Sequence, residues 1–137
     1  MFERLGKFLS CILRGKMTEK CLVGKMGEDA AAKFLKRKSY KIKSRNFRSG
    51  HKEIDIVALD GDVLVFVEVK TRKETAPVGG YWAGIARAKR ACVRACATAY
   101  MKTLPHRPNT WRFDVVEVSY SQSTMRPTSI NHYINVY

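Results

Sequence analysis

Residues 53–72 read EIDIVALDGDVLVFVEVKTR, and the order of residue types in that stretch decides the fold. An acidic strand start leads to an Asp-Gly pair, a strongly apolar run and a Glu-Val-Lys exit, the pattern of a β-hairpin. Side chains alternate across a strand, so Glu68 and Lys70 share one face while Val67 and Val69 take the other. The turn fixes where Asp55 falls. With Asp60 and Gly61 as turn residues, Asp55 stands opposite Phe66 and diagonal to Glu68, about 7–8 Å away. With Gly61 and Asp62 in the turn, Asp55 stands directly opposite Glu68. Both turns bring the carboxylates together, whereas a three-residue loop would put them on opposite faces.

Working outward, Val63 to Val69 is apolar at nearly every position, as expected of a central strand covered on both faces. Before the hairpin, Leu22 to Lys38 has helical spacing, with Ala30, Ala31, Phe34 and Leu35 as the buried stripe and Glu28 near the start. Tyr40 to Arg48 alternates as a half-exposed strand with a basic outer face, and Ser49, Gly50 and His51 supply a turn. After the hairpin, Lys73 to Gly80 is a loop and Tyr81 to Leu104 a long helix, its stripe running through Ile85, Ala88, Cys92, Ala95 or Cys96, and Ala99. Arg87, Arg90 and Arg94 form a basic ridge on that helix. Trp111 to Val118 is a further strand, and the helix before it suits a right-handed crossover, so the strand should run parallel to Val63–Val69. Ser119 to Ser129 is expected as a polar loop, and Ile130 to Tyr137 as a short capping strand.

The 26 basic and 12 acidic residues among 137 give a net charge of +14, which favours a polyanionic partner, either nucleic acid or an anionic membrane surface. The length suits one domain with a real core. Cysteines 11, 21, 92 and 96 lack the spacing of a zinc site and are expected as small apolar residues in a reducing, cytoplasmic compartment. Residues 1–20 form a separate basic extension, in which Phe2, Leu5, Phe8, Leu9, Ile12 and Leu13 give an amphipathic helix that could lie on a membrane surface through residues 2–13. No apolar run is long enough to span a bilayer.

Two converging carboxylates beside a strand carbonyl, here Asp55, Glu68 and Val69, suit a hard cation such as Mg²⁺ or Mn²⁺ that keeps several waters and takes phosphate oxygens as ligands. Lys70 stands beside them, placed to orient water or to stabilise developing charge. Taken alone, Glu-x-Lys is equally a same-face ion pair at a strand end, worth at most about 1 kcal/mol.

These residues, together with Gly27-Glu28, Glu53-Ile54-Asp55, the run from Phe66 to Arg72, Arg112-Phe113-Asp114-Val115-Val116 and Ile130-Asn131-His132, resemble the YraN-like family of predicted endonucleases. That family belongs to the PD-(D/E)XK nuclease superfamily and is similar to archaeal Holliday-junction resolvases. The resemblance covers roughly residues 21 to 137. It implies an α/β restriction-endonuclease-like core, a mixed sheet flanked by helices in the order α-β-β-β-α-β. It also implies Asp55 and Glu68 as metal ligands, Lys70 as the catalytic lysine, Glu28 as an acidic contributor and Lys89 as a phosphate contact. With Arg72 and the Arg87, Arg90 and Arg94 ridge as further nucleic-acid contacts, the expectation is a metal-dependent endonuclease on DNA, branched or structured DNA included, and a homodimer. The alternative is a non-catalytic nucleic-acid-binding module on the same scaffold.

Overall fold

A computed structural model describes residues 18–76 and 87–136. Helix α1 (Glu19–Arg37) leads into strands β1 (Lys41–Ser49), β2 (Lys52–Asp60) and β3 (Val63–Lys73), and helix α2 (Arg87–Lys102) precedes β4 (Trp111–Ser121) and β5 (Arg126–Tyr133). The strands make one five-stranded mixed sheet in the order β1-β2-β3-β4-β5. Only β3 and β4 pair parallel; every other neighbouring pair is antiparallel. This α/β arrangement, α-β-β-β-α-β-β, is consistent with a restriction-endonuclease-like core extended by one strand. The amphipathic segment expected at residues 2–13 lies outside the described residues. Among the described residues no helix is long and apolar enough to cross a membrane.

The apolar run of β3 occupies the middle of the sheet because nearly every position on both of its faces is apolar, and Val65, Phe66 and Val67 are almost completely withdrawn from water. On one face Ile56, Ala58, Val65, Val67, Val116 and Val118 pack under Ala31, Ala32 and Leu35 of α1. On the other, Val57, Leu64, Phe66 and Phe113 pack under Val93, Cys96, Ala97, Tyr100 and Met101 of α2. The α2 stripe is therefore rotated from the expected one, and Cys92 faces solvent. Tyr100 and Met101 bring far more apolar area than alanines, so they set the buried side. Cys96 is a free thiol in the core, its ionisation pushed up by burial, whereas Cys21 is disulfide-bonded, contrary to the expected reduced cysteines.

Helix α1 is capped by Thr18, whose Oγ1 accepts the Cys21 N–H at 3.3 Å, with Glu19 in its first turn and Lys36 and Arg37 in its last. Gly27 governs how closely α1 approaches the sheet. A Cβ at that position would overlap Thr71 Oγ1 of β3 and lie 2.9 Å from its Cβ and Cγ2. The absent side chain lets the helix rest on the end of β3, and Glu28 is the next residue.

In β4, paired with Val67 of β3, Asp114 is fully buried and engaged on both oxygens. Arg112 Nε donates to Oδ1 at 3.0 Å, the Asn135 N–H to Oδ1 at 2.9 Å, and His132 Nε2 lies 2.8 Å from Oδ2. Lys38 Nζ lies 3.1 Å from His132 Nδ1. An ammonium group only donates, so Nδ1 accepts and the ring proton on Nε2 is given to Asp114. Arg112 also reaches Asp60 Oδ2 at 3.0 Å and the Tyr40 hydroxyl at 2.8 Å, so the cluster joins the junction of α1 and β1 and the segment after β5 to β2 and β4. The tail expected as a loop is largely strand: β4 runs on to Ser121 and β5 starts at Arg126. β5 is a mostly exposed edge strand, and an edge needs no apolar alternation to pair through its backbone.

Two predictions follow from these contacts. Gly27→Ala lowers stability in urea by about 1–3 kcal/mol, the range for forcing a methyl into packed space, and Thr71→Ala partly restores it. For Asp114, burial raises the carboxyl's proton affinity, but hydrogen bonds from His132, Arg112 and the Asn135 amide outweigh it and hold the group below its ordinary value. Its contribution is thus fully present above the unfolded-chain value of about 3.9 and is lost as pH falls through the lower folded value. Asp114→Asn is expected to be less stable near neutral pH and to show a flatter loss of thermal stability between about pH 5 and pH 2, a region set by that reference value.

Candidate active site

The hairpin resolves to one of the two registers that the sequence leaves open. Asp60 pairs with Val63 and Leu59 with Leu64, so Gly61 and Asp62 make the turn, and Gly61 takes the positive φ of 58° that the turn requires. The ladder ends at Ile56 and Val67, so Asp55 and Glu68 are the next residues of the two strands beyond its last pair. There the Asp55 carboxylate replaces a strand partner: Oδ2 accepts the Val69 N–H at 2.8 Å. Asp55 and Glu68 are both largely withdrawn from water.

Glu68 and Lys70 continue the face of Phe66, the face that α2 covers. Lys70 Nζ lies 2.9 Å from Glu68 Oε1, and Lys89 Nζ, from the first turn of α2, lies 3.3 Å from the same oxygen. Lys70 pairs along the parallel ladder with Glu117, a buried acid that holds Arg72 at 3.1 Å. Arg72 is therefore engaged within the sheet. Arg87, Lys89, Arg90 and Arg94 all lie on the first two turns of α2, where Arg87, Lys89 and Arg94 are exposed.

Glu28 approaches from α1 by way of β1. With its amide nitrogen turned toward them, Asn46 donates to Glu28 Oε2 at 3.2 Å and to Glu53 Oε1 at 3.0 Å. Asn46 has a positive φ of 54°, a conformation that asparagine tolerates better than most residues, and it falls between the ladder pairs formed by Arg45 and Phe47. Arg48 balances Glu53 from the same strand at 3.4 Å. The result is a carboxylate series, Glu28, Glu53, Asp55, Glu68 and Glu117, contributed by one helix and three strands around the end of β3.

Comparison with known sequences places this constellation in a family. The model of the family described as "Uncharacterised protein family UPF0102" matches residues 27–118. This chain belongs to the UPF0102 family. A UPF0102 protein of Symbiobacterium thermophilum is 46% identical over 96 residues, covering 70% of this chain and 80% of the relative. One from Chlorobium phaeobacteroides is 35% identical over 118 residues, covering 84% and 93%. One from an Arthrobacter species is 43% identical over 102 residues, covering 74% and 86%. The matched segment of the UPF0102 chain begins at Gly27, the residue on which the helix-to-sheet approach depends, and includes every acid of the series.

The donor set of the UPF0102 site suits a hard divalent cation of the kind that keeps most of its water. Asp55 and Glu68 offer buried carboxylate oxygens from neighbouring strands. Among the described residues no three Asp, Glu, His or Cys side chains converge into a closed cage. Mg²⁺ commonly uses only one or two carboxylates, with water and phosphate oxygens filling the remaining positions. Asn46 and Glu117 are the participants that sequence reading misses. Glu117 left a signal, an acid on the face of Phe113 and Val115, whereas Asn46 left none, because its role depends on a backbone turn and on the approach of α1.

Asn46→Ala is expected to cost about 2–4 kcal/mol in chemical denaturation, combining two lost hydrogen bonds to carboxylates and a side chain strained at positive φ. Asn46→Gly relieves the strain and should cost less, so the difference between the two variants measures the backbone part.

Proposed function

We propose that this chain is a metal-dependent endonuclease of the PD-(D/E)XK type, hydrolysing phosphodiester bonds in DNA, including branched or structured DNA. The observation that carries the reading is the register of the hairpin, which brings Asp55 onto the Val69 amide of β3 and sets Lys70 beside Glu68 where the apolar run of the central strand ends. A bound Mg²⁺ or Mn²⁺, held by Asp55 and Glu68 with the Val69 carbonyl beside them, would supply Lewis-acid polarisation of the phosphate and an acidified water.

The chain's own residues have separate tasks in this scheme. Asp55 is oriented by the Val69 amide, which fixes its carboxylate against rotation before substrate arrives. Lys70 presents its ammonium group 2.9 Å from Glu68, where it orients water and offsets charge on the leaving oxygen. Glu28, placed by Asn46, adds a carboxylate at the α1 side of the same strand end. The exposed cations of α2, Arg87 and Arg94 with Arg90 beside them, contact the phosphate backbone and give affinity without sequence preference.

One feature favours a second reading. Both ammonium groups address Glu68 directly, which satisfies the buried carboxylate without an added ion, as in a binding module that has lost catalysis. A cleavage assay separates the two. Purified protein with Mg²⁺ or Mn²⁺ is expected to cut at least one member of a panel of duplex, single-stranded and junction DNAs. Asp55→Ala and Lys70→Ala should each lower the rate about a hundredfold or more, the scale for losing a group that stabilises transition-state charge. Absence of cleavage by the unaltered protein, with salt-sensitive DNA binding that survives Asp55→Ala, would instead establish the binding module.

A further inference from the structure

The geometry points to Lys89 as an exchangeable placeholder for the divalent cation: it occupies Glu68 when no cation is bound and is released toward substrate phosphate when one binds. This inference rests on the metal-dependent reading above and adds to it the order in which charges meet at Glu68.

Glu68 is only 6% exposed and receives two ammonium groups on one oxygen, Lys70 at 2.9 Å and Lys89 at 3.3 Å. The two lysines are not equivalent. Lys70 is 23% exposed and comes from the same strand, two residues along, so its position follows from the β3 backbone. Lys89 is 48% exposed, comes from the first turn of α2, and spans a longer distance to the same atom. A half-exposed lysine gives up an ion pair at small cost, because water replaces the carboxylate.

Placing a divalent cation beside Glu68 changes the local sum. In the cation-free state the Glu68 carboxylate already faces two ammonium groups, Lys70 and Lys89. A divalent cation would add two positive charges to that balance, and the least constrained ammonium, Lys89, is the one that like-charge repulsion displaces. The displaced side chain stays tethered to α2 beside Arg90 and Arg94, so the next anion it meets is a phosphate on that helix face. Cation and DNA are then linked through one side chain: each makes the other's binding more favourable, and by the same factor.

The test uses the full chain and reads binding rather than turnover. Mn²⁺ is titrated against the protein by calorimetry, and the gain in thermal stability is followed in parallel. Lys89→Met keeps the apolar stem and removes the charge, and it is expected to bind Mn²⁺ about fivefold more tightly, the scale of a half-exposed ion pair. Lys102→Met removes the same charge from the exposed last turn of the same helix, far from Glu68 along the chain, and should leave Mn²⁺ affinity unchanged. In Ca²⁺, wild-type DNA affinity should rise, and Lys89→Met should lose most of that rise. Unaltered or weaker Mn²⁺ binding by Lys89→Met, or an equal gain from Lys102→Met, overturns the placeholder. If Glu68→Gln abolishes Mn²⁺ binding in the same experiment, the metal site stands and only the role of Lys89 falls. If Glu68→Gln still binds Mn²⁺ normally, both readings fall together.

Discussion

Holding a carboxylate out of water at the end of an apolar strand is the constraint around which this sheet is arranged. Glu68 cannot stay charged in that position without partners, since an isolated buried charge costs far more than a domain of this size can spare. Its partners come from two directions, the next turn of its own strand and the helix that covers the face. The approach of α2 is set by Tyr100 and Met101 packing on Phe66 and Phe47, and its first turn is thereby held over the strand end. The approach of α1 on the other face is set by the missing side chain of Gly27. Two helices, governed by different contacts, converge on one end of β3.

The chain buries a second acid more deeply, and the contrast shows how a structural carboxylate differs from one open to exchange. Asp114 is held by Arg112, His132 and a backbone amide, with both oxygens engaged and groups from β4, β5 and the chain end all committed. No partner of Asp114 can leave without stranding a buried donor, so the cluster fastens the α1–β1 junction and the segment after β5 to the sheet. Glu68 has both of its cations on a single oxygen, and one of them is half in water. Removing Lys89 from Glu68 strands nothing.

Parity made the centre of the chain legible in advance. The apolar run of β3, the Asp-Gly turn and the Glu-x-Lys exit are local features, and they carried the central strand, the hairpin and the parallel crossover to β4 into the structure. The register stays open between two turns, either of which suits a positive φ at Gly61, and the pairing of Asp60 with Val63 decides it. What was not legible depends on contacts far apart in sequence or on residue size rather than pattern. Of the stripe expected on α2, Cys96 is buried, Ala88, Cys92 and Ala95 are exposed and Ile85 lies outside the described residues, because Tyr100 and Met101 decide the face rather than the alanine and cysteine spacing. β5 was cut short because an exposed edge strand such as Arg126–Tyr133 pairs through backbone groups that composition does not display. Asn46 reads as an ordinary strand residue until α1 brings Glu28 to it.

Net charge acts on this site in a way that local geometry does not capture. A chain of +14 repels small cations at long range, so the carboxylates must overcome the field of the whole molecule to hold a divalent ion. Several basic residues are already committed internally, Arg45 to Asp29, Arg72 to Glu117 and Arg112 to Asp114, and these contribute little to an outside partner. The remaining positive surface includes the exposed side of α2, beside Glu68. A polyanion laid along that helix would cancel the opposing field where a cation must enter. Electrostatics alone thus favours cation and polyanion arriving together, and the double occupancy of Glu68 by lysines gives that general coupling a specific atom on which to act.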